Sequence, residues 1–267
     1  MGSLHIRSLK GLPQIAVGDD LAQIIVDACA AQDPPVSLSG EHILVLAQKI
    51  VSKAEGATVQ LSEITAGERA KQIAEQAQHT ALPAQERRRD PRAIQVVLDQ
   101  SVEILRQREG TLICRTRHGF VCANAGVDAS NSPQAETLIL LPQDPDHSAR
   151  LIRARLRQLL RLPTAPGVLI TDSFGRAWRQ GQCDVAIGLA GLTPLDDWRG
   201  RTDAHSRTLT ATLLAVADSI AAAADLARAK DSEEPAVLVE GLARFITGED
   251  GPGAAALLRP LQEDLFR

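Results

Sequence analysis

Tyrosine is absent from this chain of 267 residues, and aromatic residues make up only 2% of it. Its core must therefore be aliphatic. A binding site here also cannot rest on aromatic stacking, which argues against a single-stranded nucleic-acid platform. The formal net charge of −4 carries no concentrated basic surface of the kind nucleic acid selects. One local basic run, Arg87-Arg88-Arg89, is followed by Asp90 and reads as a solvated approach to a helix. No apolar run nears the roughly 18 residues a spanning helix needs, and no signal peptide opens the chain. The four cysteines, Cys29, Cys114, Cys122 and Cys183, form no CxxC and sit at no zinc spacing with histidine. A reduced, cytoplasmic protein with no membrane and no nucleic-acid partner is the expectation. Neither GxxxxGK[ST] nor GxGxxG occurs, nor a nucleophile elbow or Cys–His pair.

What is present is aliphatic and patterned: hydrophobic residues reach 44%. A helix is expected from Asp19, with Leu21, Ile24, Ile25 and Ala28 at helical spacing. HILVLAQKIV (42–51) reads as one buried strand. TAGERAKQIAEQAQ reads as a helix, and DPRAIQVVLDQSVEILRQR as a longer one opened by Pro91. Three short strands follow, TLICRT, FVCANAG and ETLILLP, then the helix PDHSARLIRARLRQLLRL. GVLITDS (167–173) and CDVAIGLAG (183–191) are strands, SRTLTATLLAVADSIAAAADLARAK is the longest helix, AVLVEGL a strand and PGAAALLRPLQEDLF a closing helix. Helices and strands alternate only in part. That favours an α+β fold built on a large mixed sheet flanked by helices, as a single unit over 1–267 with two interwoven lobes as an option.

Four segments carry candidate chemistry. Asp172 ends an apolar strand and is followed by Ser173. Ligand groups collect at the carboxyl ends of strands in open α/β sheets, and an Asp beside a hydroxyl offers oxygens to a hard cation. It could equally cap the turn. Asp128, Ser130 and Asn131 put three oxygen-bearing side chains after a glycine; a cation bridging Asp128 and Asp172 would relieve their repulsion, whereas an Asx-turn is the plainer account. Lys49 and Lys53, four apart beside Ser52 and Gly56, could contact phosphate or form an exposed charged cluster. Arg176, Arg179, Arg199, Arg201 and Arg207, with His205, flank glycine-bent loops and suit phosphate or carboxylate recognition, or else hold those loops through nearby aspartates. Together they suggest a divalent metal and an anionic, phosphorylated ligand, without naming a reaction.

In order, GLPQIAVGDDLA, LVLAQKIVSKAEG, HGFVCANAGVDASN, LLPQDPDHSA, GVLITDSFGRAWRQGQCDVAIGLAGL, DDWRGRTD and LTATLLAVADSIAAAADL resemble the coenzyme F-420-0:L-glutamate ligase (gamma-glutamyl ligase) family over residues 11 to 242. The resemblance implies a GTP-dependent, amide-forming ligase that joins L-glutamate to the deazaflavin F-420-0 and adds further glutamates by γ-linkage. It implies an acyl-phosphate route, Mg²⁺ or Mn²⁺ (two per subunit), K⁺ as a monovalent helper, and an intertwined homodimer. Some bacterial members carry a C-terminal flavin reductase-like domain, for which this chain ends too early. Residue by residue, Leu12, Pro13, Gln14, Ile15, Gln48, Lys49, Lys53 and Asn131 match nucleotide contacts. Asp128 and Asp172 match the ligands of one metal, and Ser173 stands where a second metal is held. The stretch ARAKDSEEP (227–235) departs from the family, lacking its Met-Gly pair. No role is carried there, although Asp231, Glu233 or Glu234 could complete a metal site. That departure keeps two other classes open: a nucleotide-holding module without turnover, and a metal-dependent phosphohydrolase.

Overall fold

The computed structural model describes residues 3–78, 90–129, 136–229 and 231–264. In chain order its strands are β1 (His5–Ser8), β2 (Ile43–Ala47), β3 (Thr58–Gln60), β4 (Ser101–Arg108), β5 (Thr111–Thr116), β6 (Val121–Ala123), β7 (Thr137–Ile139), β8 (Gly167–Arg176), β9 (Arg179–Ala190), β10 (Leu195–Asp197), β11 (Leu213–Ala215) and β12 (Ala236–Glu240). The central sheet runs β1-β12-β2-β8-β9. β2 and β8 are parallel, and every other neighbour pair is antiparallel, so the sheet is mixed and the α+β class expected from the sequence is what folds.

Both faces of this sheet are covered. Ile43 through Leu46 are wholly buried, as continuous apolar strands inside a sandwich of helices must be. One face carries Leu44, Leu46, Val168 and Ile170 against helices Leu21–Ala30 and Pro145–Leu160. The opposite face carries Ile43, Val45, Leu169, Val237 and Val239 against helix Val216–Asp225. That helix turns Ala217, Ala221 and Ala224 inward, and such small side chains let backbone and sheet approach closely. Helix starts follow their capping residues: Asp20 accepts from the Gln23 N–H at 3.1 Å and Asp144 from that of His147 at 2.9 Å. A separate core joins helices Glu68–Gln78 and Pro91–Asp99 to the sheet β4-β5-β6.

Several boundaries differ from the sequence reading. The run 42–51 is not one strand: β2 ends at Ala47 and a helix, Gln48–Ala54, starts at once. The five apolar residues of β2 have no period of their own, and no glycine or proline separates them from the helix that starts at Gln48. The long helix expected after Asp90 ends at Asp99, and Ser101–Arg108 pairs with β5 instead. The three central strands lie outside the large sheet: β5 and β6 pair with each other, and β7 pairs with β3. The longest expected helix is confined to Val216–Asp225: its threonine-rich start is not helical, and Leu213–Ala215 pairs as β11 with β10. The closing helix is a pair of 3₁₀ turns at Ala254–Leu257 and Leu261–Glu263, parted by Pro260. The Arg87–Arg89 run lies outside the described residues. No described helix is long and apolar enough to cross a membrane.

Candidate active site

The parallel pairing of β2 and β8 places Ala47 opposite Thr171. Gln48 and Lys49 therefore leave the carboxyl end of β2 beside Asp172 and Ser173, which lie midway along β8 just past the point where its parallel pairing with β2 stops; open sheets gather ligand groups at the carboxyl ends of strands such as β2. Asp128 arrives from elsewhere in the chain. Its backbone exchanges hydrogen bonds with Ile139 of β7, at 2.9 and 2.8 Å. Just before it, Asn124, Ala125 and Gly126 have φ of 51°, 54° and 71°. Left-handed backbone costs a non-glycine residue about 1–2 kcal/mol, and at Gly126 a Cβ would meet the Leu141 side chain at 2.8 Å. The Asn-Ala-Gly run is thus a tight left-handed turn that delivers Asp128.

The delivered carboxylate meets Lys49: Nζ to Oδ2 is 2.7 Å. Lys49 and Lys53, four residues apart, share one face of helix Gln48–Ala54. Burial, and then the charge of Lys49, hold the Lys53 ammonium below its ordinary pKa. Gln48 is 1% exposed; its Oε1 accepts from Ser52 Oγ at 2.7 Å, while its buried Nε2 has no hydrogen-bond partner among the described residues. The loop holding Leu12, Pro13, Gln14 and Ile15 docks on the far end of this helix, where the Gly18 N–H donates to the Ala54 carbonyl at 2.8 Å. Pro13 and Gln14 are exposed there, and Ile15 is buried. Asn131 and Ser130 lie outside the described residues.

Asp172 is the most perturbed acid of this group. Burial pushes its carboxyl up to about 7, and the charges of Asp184 and Asp128 push the same way, against the Ser173 backbone N–H and Lys49. Alternation along β8 decides what each neighbour faces. Asp172 lies on the side of Ile170 and Phe174, which pack with Phe120 in the first core. Thr171 and Ser173 face the other side, toward helix Val216–Asp225. There both hydroxyls donate to Asp184, Thr171 to Oδ2 at 2.8 Å and Ser173 to Oδ1 at 2.6 Å. Asp184, 2% exposed, also pairs with Arg228, whose NH2 reaches Thr171 Oγ1 at 3.0 Å. The fold therefore brings together Asp128, Asp172, Lys49, Lys53 and Gln48, and sets Ser173 on the opposite face.

Asp184 and Arg228 escaped the sequence reading. The signal for Asp184 was present: an Asp inside the apolar strand CDVAIG, the same anomaly that flagged Asp172. Arg228 had no such mark, standing in a polar stretch after an alanine-rich helix. The loop arginines divide. Arg199 and Arg201 pair with Asp197 and Asp196 at 2.6 and 3.5 Å, and Arg176 folds back on the Gln180 carbonyl at 2.8 Å, so these brace their own loops. Asp203 accepts from the backbone N–H groups of His205 and Arg207. Asp231 and Glu233 are exposed and Glu234 half-buried.

Among the described residues no three or more His, Cys, Asp or Glu side chains gather for a metal. Two carboxylates suffice for Mg²⁺, which keeps several waters and is commonly held by one or two carboxylates together with substrate phosphates. Asp128 and Asp172 could hold one such ion, and a positive ion there would relieve the strain on the Asp172 carboxylate. A cleft at the opposite ends of β2 and β8, lined by Ser39–Glu41 and Leu162–Thr164, presents no basic side chain.

The fold and cluster define an α+β protein that sets acids and lysines where β2 ends beside its parallel neighbour β8. Its sequence matches the F420-0:gamma-glutamyl ligase family model across residues 11–241, and the chain belongs to that family and is an amide-forming ligase. It is 38% identical to a coenzyme F420:L-glutamate ligase of Methanopyrus kandleri, with all of both chains covered. It is 39% identical to that of Methanothermobacter thermautotrophicus over 99% of each chain. The Haloarcula marismortui ligase of the same name is 36% identical, covering 99% of this chain and 96% of its own.

Proposed function

We propose that this chain joins L-glutamate to the deazaflavin precursor F-420-0 and extends it with γ-linked glutamates, consuming GTP through an acyl phosphate. The names of the relatives support the acceptor and the amino acid. The observation that carries the reading is the meeting of the Lys49–Asp128 pair with buried Asp172 where β2 ends beside the middle of β8. In this reading a carboxylate of the acceptor attacks the γ-phosphorus and GDP leaves. The glutamate amine then attacks the acyl carbon; phosphate departs and the amine loses a proton. Such a transfer asks the protein for position and charge rather than for a nucleophile.

Each residue has a task within that scheme. Lys49 and Lys53 hold phosphate oxygens as point charges. The buried Gln48 amide, without an acceptor among the described residues, donates to the nucleotide, and the Leu12–Ile15 loop reaches it from the Ala54 end of the same helix. Asp128 and Asp172 would hold a divalent cation, which when bound offsets charge on the transferring phosphate. The active assembly is a homodimer; Trp178, 80% exposed, and Leu213 and Leu214 on β11 offer apolar surface for it.

The test is a mass measurement. Purified protein is incubated with GTP, Mn²⁺, F-420-0 and L-glutamate, and the expected product is heavier by one or more glutamyl units. Asp128→Asn and Asp172→Asn are each expected to lose about a thousandfold in turnover with unchanged circular dichroism. Near-full turnover in either variant overturns the site. No GDP at all would mark a nucleotide-holding module, and GDP without glutamate a phosphohydrolase.

A further inference from the structure

The two faces of the β8–β9 ribbon meet their carboxylates in different ways. On the Asp184 face the guanidinium of Arg228 is 10% exposed and ringed by acceptors from separate parts of the chain. It pairs with Asp184, contacts Thr171 Oγ1 at 3.0 Å, reaches the Pro235 carbonyl at 3.4 Å and lies 3.8 Å from Asp225. It also sits two residues beyond the cap of helix Val216–Asp225, whose carboxyl end favours positive charge. With the Ser173 and Thr171 hydroxyls both donating to Asp184, each Asp184 oxygen is already bonded. The place between Asp184 and Asp225 that a divalent ion would take holds a guanidinium, a cation that cannot lose its proton.

We propose that Arg228 is a resident cation that closes the Asp184 face to divalent metal, so that the chain binds one divalent ion, at Asp128 and Asp172. This rests on the proposed ligase site and narrows it. Arg228 is a positioning residue here. It fixes Asp184, which in turn holds the Ser173 and Thr171 hydroxyls that frame Asp172.

The test counts bound Mn²⁺ by electron paramagnetic resonance in the full-length protein, saturated with the β,γ-imido analogue of GTP. Each measurement subtracts Mn²⁺ bound to free nucleotide. The wild type is expected to hold one Mn²⁺ per chain, Arg228→Gln two, Arg228→Lys one and Asp172→Asn none. Thermal melts give an independent readout. Arg228→Gln should melt lower than wild type in EDTA and recover with Mn²⁺, whereas loss of a merely structural ion pair would not be repaired by metal. Two Mn²⁺ in the wild type, or one in Arg228→Gln with no Mn²⁺-dependent recovery, overturns the proposal. None in the wild type overturns it together with the metal site it rests on, so the two failures are told apart.

Discussion

Asp172 and Asp184 sit on the same antiparallel ribbon, paired across from Val185 and Ser173, and the fold treats them in opposite ways. Asp184 receives two hydroxyls and a guanidinium within its own chain. Asp172 is buried beside two other acids and has its carboxyl pushed up to about 7. One carboxylate is finished by folding; the other is kept costly. Perturbed groups of this kind mark functional sites more often than structural ones. The difference comes from strand alternation alone, since a shift of one residue along β8 exchanges one helix layer for the other.

The sharpest way to break the comparison is to neutralise each acid in turn. Asp184→Asn strands Arg228 in a buried place, and breaking a buried pair costs about 3–5 kcal/mol. Its midpoint should fall by roughly 10 °C in a chain of this size, read by calorimetry without metal. Asp172→Asn should move the other way. Because its folded pKa lies above the unfolded value, ionisation of Asp172 destabilises the metal-free fold. That penalty is absent below about pH 4, grows as pH rises toward 7, and is constant above. Asn cannot ionise, so at pH 8 the variant should be more stable by up to about 4 kcal/mol while losing its activity. Equal destabilisation of both variants would erase the distinction.

How far this was readable beforehand differs by residue. Asp172 stood out as an acid ending an apolar run, Asp128 as an acid after a glycine, and Lys49 and Lys53 by their spacing of four, while Gln48 was marked only by the family resemblance. What brings them together is long-range register: Ala47 against Thr171, and Asp128 against Ile139. No local pattern encodes such a pairing. Lys49 and Lys53 gain a common face only because the strand turns into a helix at Gln48, a switch that no turn residue, glycine or proline marks in ILVLAQKIV. The mixed sheet was legible from the partial alternation of elements. The placing of β5, β6 and β7 outside it was not, because short strands pair wherever turn geometry and burial allow.

A smaller effect follows from proton competition. In the metal-free protein Asp172 is protonated below about pH 7, so a divalent ion must displace that proton. Mn²⁺ affinity should weaken by about tenfold for each pH unit below 7 and level off above it. Titration calorimetry at several pH values reads the slope. A flat profile between pH 5.5 and 7 would mean that Asp172 is ionised before the metal arrives, and the contrast with Asp184 would lose its electrostatic basis.

The smallest effect uses the thiols as reporters of the two faces. Burial pushes Cys29 up to about 11, and burial together with the charge of Asp172 pushes Cys122 up to about 12. Burial raises Cys114 as well. Cys183, next to Asp184 on β9, is the only one of the four that is not buried. Thiolate is the nucleophile, so at pH 8 a disulfide reagent should modify Cys183 and leave the other three until the protein unfolds. In Asp172→Asn the Cys122 thiol loses one of the charges that raise it, yet burial, the larger cause, remains. Its labelling should therefore quicken only slightly, well within tenfold. A large gain at Cys122 would show that Asp172 keeps that face closed by packing, so that its burial serves the core as much as the ligand.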